Sequence, residues 1–163
     1  MKKSAGFTLI ELVIVIVILG ILGAVAAPRF INMQGDAYEA NVKALNGSIQ
    51  SAMTLANTKA ILGGYDQGTR EAGTVSDEDE LGNVKFVNGF PAATEFGIIR
   101  MLQNSESFDD NYQTDPKGTN VLIIAPKARD IVKGGAENEK CQVEYTQATD
   151  TEPAKVKAFT EGC

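Results

Sequence analysis

The chain has 163 residues, 44% of them hydrophobic, with a formal net charge of −6, two cysteines, and neither histidine nor tryptophan. That length accommodates one ordinary globular core plus an appendage. The lack of histidine removes the commonest general base and metal ligand, and the negative balance leaves no overall basic field, so no nucleic-acid partner is expected.

Residues 1–6, Met-Lys-Lys-Ser-Ala-Gly, are short and basic, and the apolar run from Phe7 to Ala27 is interrupted only by Thr8 and one charge, Glu11. A helix of that length reaches across a bilayer core. Lys2 and Lys3 hold its start on the cytoplasmic side by the positive-inside tendency, which places everything after Arg29 outside. Three readings compete for the segment. Ala24-Val25-Ala26 offers the small-x-small cleavage site of a secretory signal, but Pro28 stands second after that cut and hinders it. A permanent single-span anchor shares with the signal the problem of Glu11. A carboxylate at helix depth costs on the order of 3 kcal/mol on insertion scales and marks function.

The third reading rests on Gly6-Phe7-Thr8-Leu9-Ile10-Glu11-Leu12. A basic leader ending in Gly, a Phe directly after it and a Glu four positions later, at the head of a long apolar stretch, resemble the class III signal of type IV pilins and related pseudopilins. The resemblance implies cleavage between Gly6 and Phe7 by a prepilin peptidase, N-methylation of Phe7, and retention of the apolar helix, residues 7–29, after loss of the leader, residues 1–6. It implies further that Glu11 of one subunit neutralises the terminal amine of its neighbour during assembly. Within one helix that amine and Glu11 stand about 6 Å apart along the axis.

The helix is expected to continue from Phe30 to about Lys59, because Leu45, Ile49, Ala52 and Ala56 recur at steps of four, three and four, the pattern of one buried face. Asp36, Glu39, Lys43 and Gln50 occupy the other face. From Phe7 to Lys59 such a helix runs about 80 Å. Pro28 removes one backbone donor, and Gly20 and Gly23 lower helix propensity just upstream. Taken alone, these residues give a mild kink; the resemblance implies that the stretch Gly20–Pro28 loses helical order in an assembled filament.

After Gly63-Gly64 the pattern changes. Residues 63–83, with Gly68, Gly73 and the run Asp77-Glu78-Asp79-Glu80, read as a solvent-facing loop. The acidic run lacks the spacing, central Gly and distal Glu of an EF-hand loop, so it reads as solvated surface, as do Asp109, Asp110 and Asp115. Strand candidates are Val84–Val87, Val121–Ala125, Gln142–Thr146 and Val156–Thr160. A short helix over Ala93–Gln103 brings Phe96, Ile99 and Leu102 toward the core. The expected fold class is α+β: a long N-terminal helix whose second half packs on a small antiparallel sheet, with residues 30–163 forming the head.

Cys141 and Cys163 form an even pair in a chain read as exported, where a disulfide is the expected state. Val84-Lys85-Phe86-Val87-Asn88-Gly89-Phe90-Pro91-Ala92-Ala93, Ala27-Pro28-Arg29-Phe30 and Val143-Glu144-Tyr145-Thr146 near the cysteines resemble pilins of the mannose-sensitive haemagglutinin class of type IVa pili. Read from the residues alone, the first of these is strand, turn and helix start, with Asn88-Gly89 supplying the turn. No nucleophile motif, metal cluster or phosphate loop stands out, so neither catalysis nor a cofactor is expected. The resemblance implies a structural subunit held in the inner membrane as a single pass and then built into an extracellular helical homopolymer. Its partners on that reading are the prepilin peptidase, the assembly machinery and, for an adhesive fibre, host or surface glycans. A pseudopilin of a type II secretion system shares the N-terminal logic and is the alternative.

Overall fold

The computed structural model describes residues 7–64, 68–70, 84–102 and 108–163, without the side chains of residues 27–32 and 70. The chain divides into two compact units, Met1–Ala37 and Tyr38–Cys163. Gly6 and the acidic run Asp77–Glu80 lie outside the described residues.

One helix, α1 (Leu9–Leu62), contributes to both units. It includes Gly20, Gly23 and Pro28 and extends one turn past the expected Lys59. Its start contains six consecutive β-branched residues, Val13 to Ile18, whose intrinsic preference is for strands. A helix nonetheless satisfies every backbone group within the segment, as apolar surroundings require. The helix ends at Gly63-Gly64, where the Gly63 amide donates to Lys59 O and Gly64 takes φ 70°, a left-handed stop.

In the second unit the expected stripe is buried: Leu45, Ile49 and Ala56 are in the core, joined by Val42 and Ala60, and Ala52 packs against them. The stripe meets one face of a four-stranded antiparallel meander, in the order β4 (Tyr112–Pro116), β5 (Val121–Pro126), β6 (Gln142–Thr146) and β7 (Lys155–Phe159). The register sets Leu122 opposite Tyr145 and Ile124 opposite Val143, and all four belong to the same core cluster as Val42, Leu45 and Ile49. Alternation along the strands sends Ile123, Ala125, Gln142, Glu144 and Phe159 to the other face. That face is covered too, since Ile123, Ala125 and Gln142 are buried.

Three of the four expected strands form this sheet. The fourth expectation, Val84–Val87, is corrected: Phe86–Val87 (β2) belongs to a separate small sheet with Thr69–Arg70 (β1) and Phe90–Pro91 (β3). Asn88 and Gly89, at φ 49° and 77°, make a two-residue turn of the primed kind, which returns the chain at once and sets Val87 against Phe90. The vacant place in the meander is taken by β4, whose Asp115 pairs with Lys133 at 2.7 Å.

The expected short helix is also modified. Glu95–Ile99 is a wide helical turn running into α2 (Arg100–Leu102), and Gly97 inside it leaves helical geometry at φ −109°, ψ −109°. A Cβ on Gly97 would lie 2.0 Å from Ala92 O, so the close pass of the two backbones excludes any side chain. The break turns Phe96 outward, 60% exposed, while Ile99 is buried and Leu102 packs on the core. Asp109 and Asp110 lie in α3 (Phe108–Asn111), whose Phe108 ring stacks on Tyr112 at 5.0 Å.

Candidate functional site

The first turn of α1 is built around Thr8 and Glu11. The Thr8 backbone N–H and side-chain hydroxyl each donate to Glu11 Oε2 at 2.8 Å, and the Glu11 N–H donates back to the Thr8 hydroxyl at 3.3 Å. This is a reciprocal capping box, which satisfies amide groups that a helix start otherwise leaves without partners. The signature Thr-x-x-Glu stands in the sequence at residues 8–11, yet Thr8 reads there only as an interruption of the apolar run. Its role was missed because the apolar pattern draws attention to Glu11 alone.

Every residue from Phe7 to Ala26 is exposed, Phe7 at 95%. Leu9–Ala26 is long and apolar enough to cross a membrane, a test that a signal sequence also passes. A contiguous apolar surface of this extent needs lipid or other apolar surfaces around it, because water penalises it by roughly 25 cal/mol per Å². A Cβ built on Gly20 or Gly23 meets nothing within 4 Å, so neither glycine is required by packing inside the chain.

The second feature is a clasp at residues 127–163. Cys141 and Cys163 are joined in a disulfide, as expected. The Gly162 amide donates to Lys140 O at 3.0 Å, and the Arg129 guanidinium donates to Cys163 O while lying 4.7 Å over the Tyr38 ring of α1. Residues 127–140 form a strap across the outer face of the meander. Gln142 donates to Val132 O and accepts from Val132 N, both at 2.9 Å, and Gln113 donates to Arg129 O.

Under the strap, Glu144 accepts from Lys117 at 3.1 Å, Lys140 at 3.2 Å and Gln142 at 3.1 Å. Burial pushes the Glu144 carboxyl up, but the hydrogen bonds and charges of the two lysines outweigh it and hold the group below the usual carboxylate range. Lys140 also sits 4.6 Å over the Phe159 ring. On the opposite face, burial pushes the Tyr145 phenol well up, and its hydroxyl donates to Pro91 O at 2.6 Å.

A polar cleft of about 400 Å³ is lined by Gly68, Asn88, Phe90, Asp150 and Glu152 among others. Its polar groups are largely paired with one another: Asn88 accepts from the Gly68 amide and donates to Asp150, and Glu152 accepts from Lys155. Among the described residues, no group of three or more His, Cys, Asp or Glu side chains gathers to hold a metal ion.

A family model described as a prokaryotic N-terminal methylation motif matches residues 1–27. The type IV narrow pilus major component PilA5 of Thermus thermophilus is 50% identical to this chain over 58 residues, which is 36% of this chain and 50% of that protein. The chain thus spans about half the length of this curated relative. No solved structure matches. An N-terminal methylation motif, similarity over 58 residues to a type IV pilus component, an exposed apolar helix and an α+β fold with a disulfide thus occur together in this chain.

Proposed function

We propose that this chain is the structural subunit of a type IV pilus, anchored in the inner membrane by α1, processed between Gly6 and Phe7, methylated on Phe7 and then polymerised into an extracellular filament. The observation that carries this reading is the apolar start of α1, wholly exposed within the chain and headed by a single carboxylate. Such a surface leaves lipid only if neighbouring helices replace the lipid, and Glu11 supplies the charge that fixes which neighbours and at what height. An ammonium and a carboxylate attract several-fold more strongly in apolar surroundings than in water, so the Phe7 amine of an adjoining subunit is the natural partner of Glu11. The stretch Gly20–Pro28, free of packing demands at both glycines, is where the helix yields in the filament.

The finer reading, an adhesive pilus of the mannose-sensitive haemagglutinin class, is supported by the resemblance of the segments Val84–Ala93, Val143–Thr146 and Ala27–Phe30. A type II secretion pseudopilin is the competing assembly, and long surface fibres separate the two.

Mass spectrometry of protein sheared from the cell surface tests the proposal. The expected chain begins at N-methylated Phe7 and carries the Cys141–Cys163 bridge; one that begins at Met1 or Ala27 would overturn it. Glu11→Val is expected to give a processed, membrane-inserted subunit that polymerises poorly, and normal fibres from that variant alone would remove Glu11 from the mechanism.

A further inference from the structure

Arg129 joins parts of the head that stand far apart in sequence. Its guanidinium donates to Cys163 O and lies 4.7 Å over the Tyr38 ring, while its own carbonyl accepts from Gln113 of β4. Its Nε is buried and, among the described residues, donates no hydrogen bond. The cation therefore rests on one carbonyl and one aromatic face, and the face alone is a poor exchange for water.

The carbonyl is where the disulfide enters. Cys163 is held beside the strap by its bond to Cys141 and by main-chain hydrogen bonds, Gly162 N–H to Lys140 O at 3.0 Å and Cys163 N–H to Thr160 O at 3.1 Å. A Cβ on Gly162 would lie 2.4 Å from Glu139 C, so this segment passes directly against the strap backbone. Residues 161–163 are exposed or half-buried, and there water competes with the hydrogen bonds but not with the covalent link.

We propose that the Cys141–Cys163 disulfide is a redox-sensitive latch that holds the strap down through Arg129. Oxidised, it fixes Cys163 O where the guanidinium donates to it while stacked on Tyr38, and residues 127–132 stay seated on the head. A dithiol reductant delivers two electrons and two protons: the S–S bond breaks, two thiols form, and the dithiol closes into its own disulfide. Cys163 O then loses its fixed place, the cation turns out to water, and the strap loosens at its Arg129 end while the β4–β7 ladder persists. The latch is a property of the folded subunit and does not depend on the filament reading.

The test uses the full chain in mild detergent and two readouts: hydrogen exchange of the amides from Lys127 to Val132, and the redox equilibrium against a dithiol buffer, read by thiol trapping and mass. Reduction is expected to speed exchange there about tenfold in the native chain, the scale of one hydrogen bond to a charged group. Arg129→Gln, with its disulfide intact, should already exchange at the faster rate, and reduction should add nothing further. Coupling is reciprocal, so Arg129→Gln should also be about tenfold easier to reduce, a shift of about 30 mV. Phe86→Leu, which weakens the separate core cluster of Ala56, Ala60 and Val84, should move neither readout.

A strap that exchanges no faster on reduction would overturn the latch, as would reduction that speeds exchange equally in the native chain and in Arg129→Gln. So would a redox equilibrium moved as far by Phe86→Leu as by Arg129→Gln, because the disulfide would then act on the fold as a whole.

Discussion

Val13–Ile18 at the start of α1 and the pair Ile123–Ile124 in β5 are written in the same β-branched residues, yet the first run is helical and exposed whereas the second is extended and buried. Propensity alone makes both into strands. The difference lies in what surrounds the backbone. In the meander, hydrogen bonds come from β4 and β6 on either side of β5. No such ladder reaches Val13–Ile18 among the described residues, and the helix is the conformation that closes all hydrogen bonds internally. Apolar residues therefore serve two ends in one chain, a core completed by folding and a surface left to be covered by lipid or other apolar surroundings.

The sharpest way to break this comparison is to cut the same side chain in each region. Ile49→Ala removes a fully buried side chain and is expected to cost about 3–4 kcal/mol in urea unfolding of the full chain in mild detergent. Ile16→Ala, at a position 58% exposed, is expected to change that stability by less than about 0.5 kcal/mol and to act on filament yield instead. Equal costs at the two sites would mean that the apolar run is packed inside the subunit.

Replacing both Cys141 and Cys163 by Ser removes a link across a sequence separation of 22 and is expected to cost about 3 kcal/mol on the loop-entropy account. Hydrogen exchange sharpens the point, because the loss should concentrate in the strap and β7 while leaving amides of residues 9–26 unchanged.

A smaller effect attaches to Glu144. Glu144→Gln leaves Lys117 and Lys140 facing each other and is expected to cost about 2 kcal/mol, less than breaking a fully buried pair because Lys117 is partly exposed. The pH dependence has a definite sign. The folded carboxyl titrates below its unfolded counterpart, so its contribution is complete above the ordinary glutamate value of about 4.3 and is lost as pH falls through the lower folded value. Thermal unfolding from pH 6 downward should therefore show a fall in the native protein that Glu144→Gln flattens.

The helix, its buried stripe and three of the meander strands were legible because each follows a single periodicity: Leu45, Ile49 and Ala56 at helical steps, Val121–Ala125 and Gln142–Thr146 as β-rich runs between turn formers. The strand Tyr112–Pro116 was not. Gln113, Thr114, Asp115 and Pro116 carry no apolar alternation, since β4 is an edge strand whose outer-face residues bind the strap through polar groups. Phe96 was misplaced because a helical wheel assumes continuous geometry, which Gly97 interrupts for the sake of a backbone contact 5 positions upstream at Ala92. At the candidate site Glu11 was legible as a charge out of place. Thr8 was not, since a hydroxyl in an apolar run is ordinary until its partner three residues on is taken with it.

The strap has a consequence for which substitutions this protein tolerates. Several of its anchors are main-chain atoms: Val132 N and O are held by the amide of Gln142, and Arg129 O by the amide of Gln113, while the Arg129, Lys133 and Lys140 side chains add contacts to Cys163 O, Asp115 and Glu144. At Val132 and Arg129 O the recognising side chains belong to the sheet, and the recognised groups are those that nearly every residue carries. Lys127, Ala128, Asp130, Gly134 and the run from Ala136 to Glu139 are exposed, so these side chains can be exchanged without losing the strap's main-chain anchors, whereas Gly135, at φ 78°, and Lys133, paired with Asp115, cannot be exchanged so freely. Substitutions at these exposed positions would alter the chemistry of the outer skin while leaving the sheet that displays it in place.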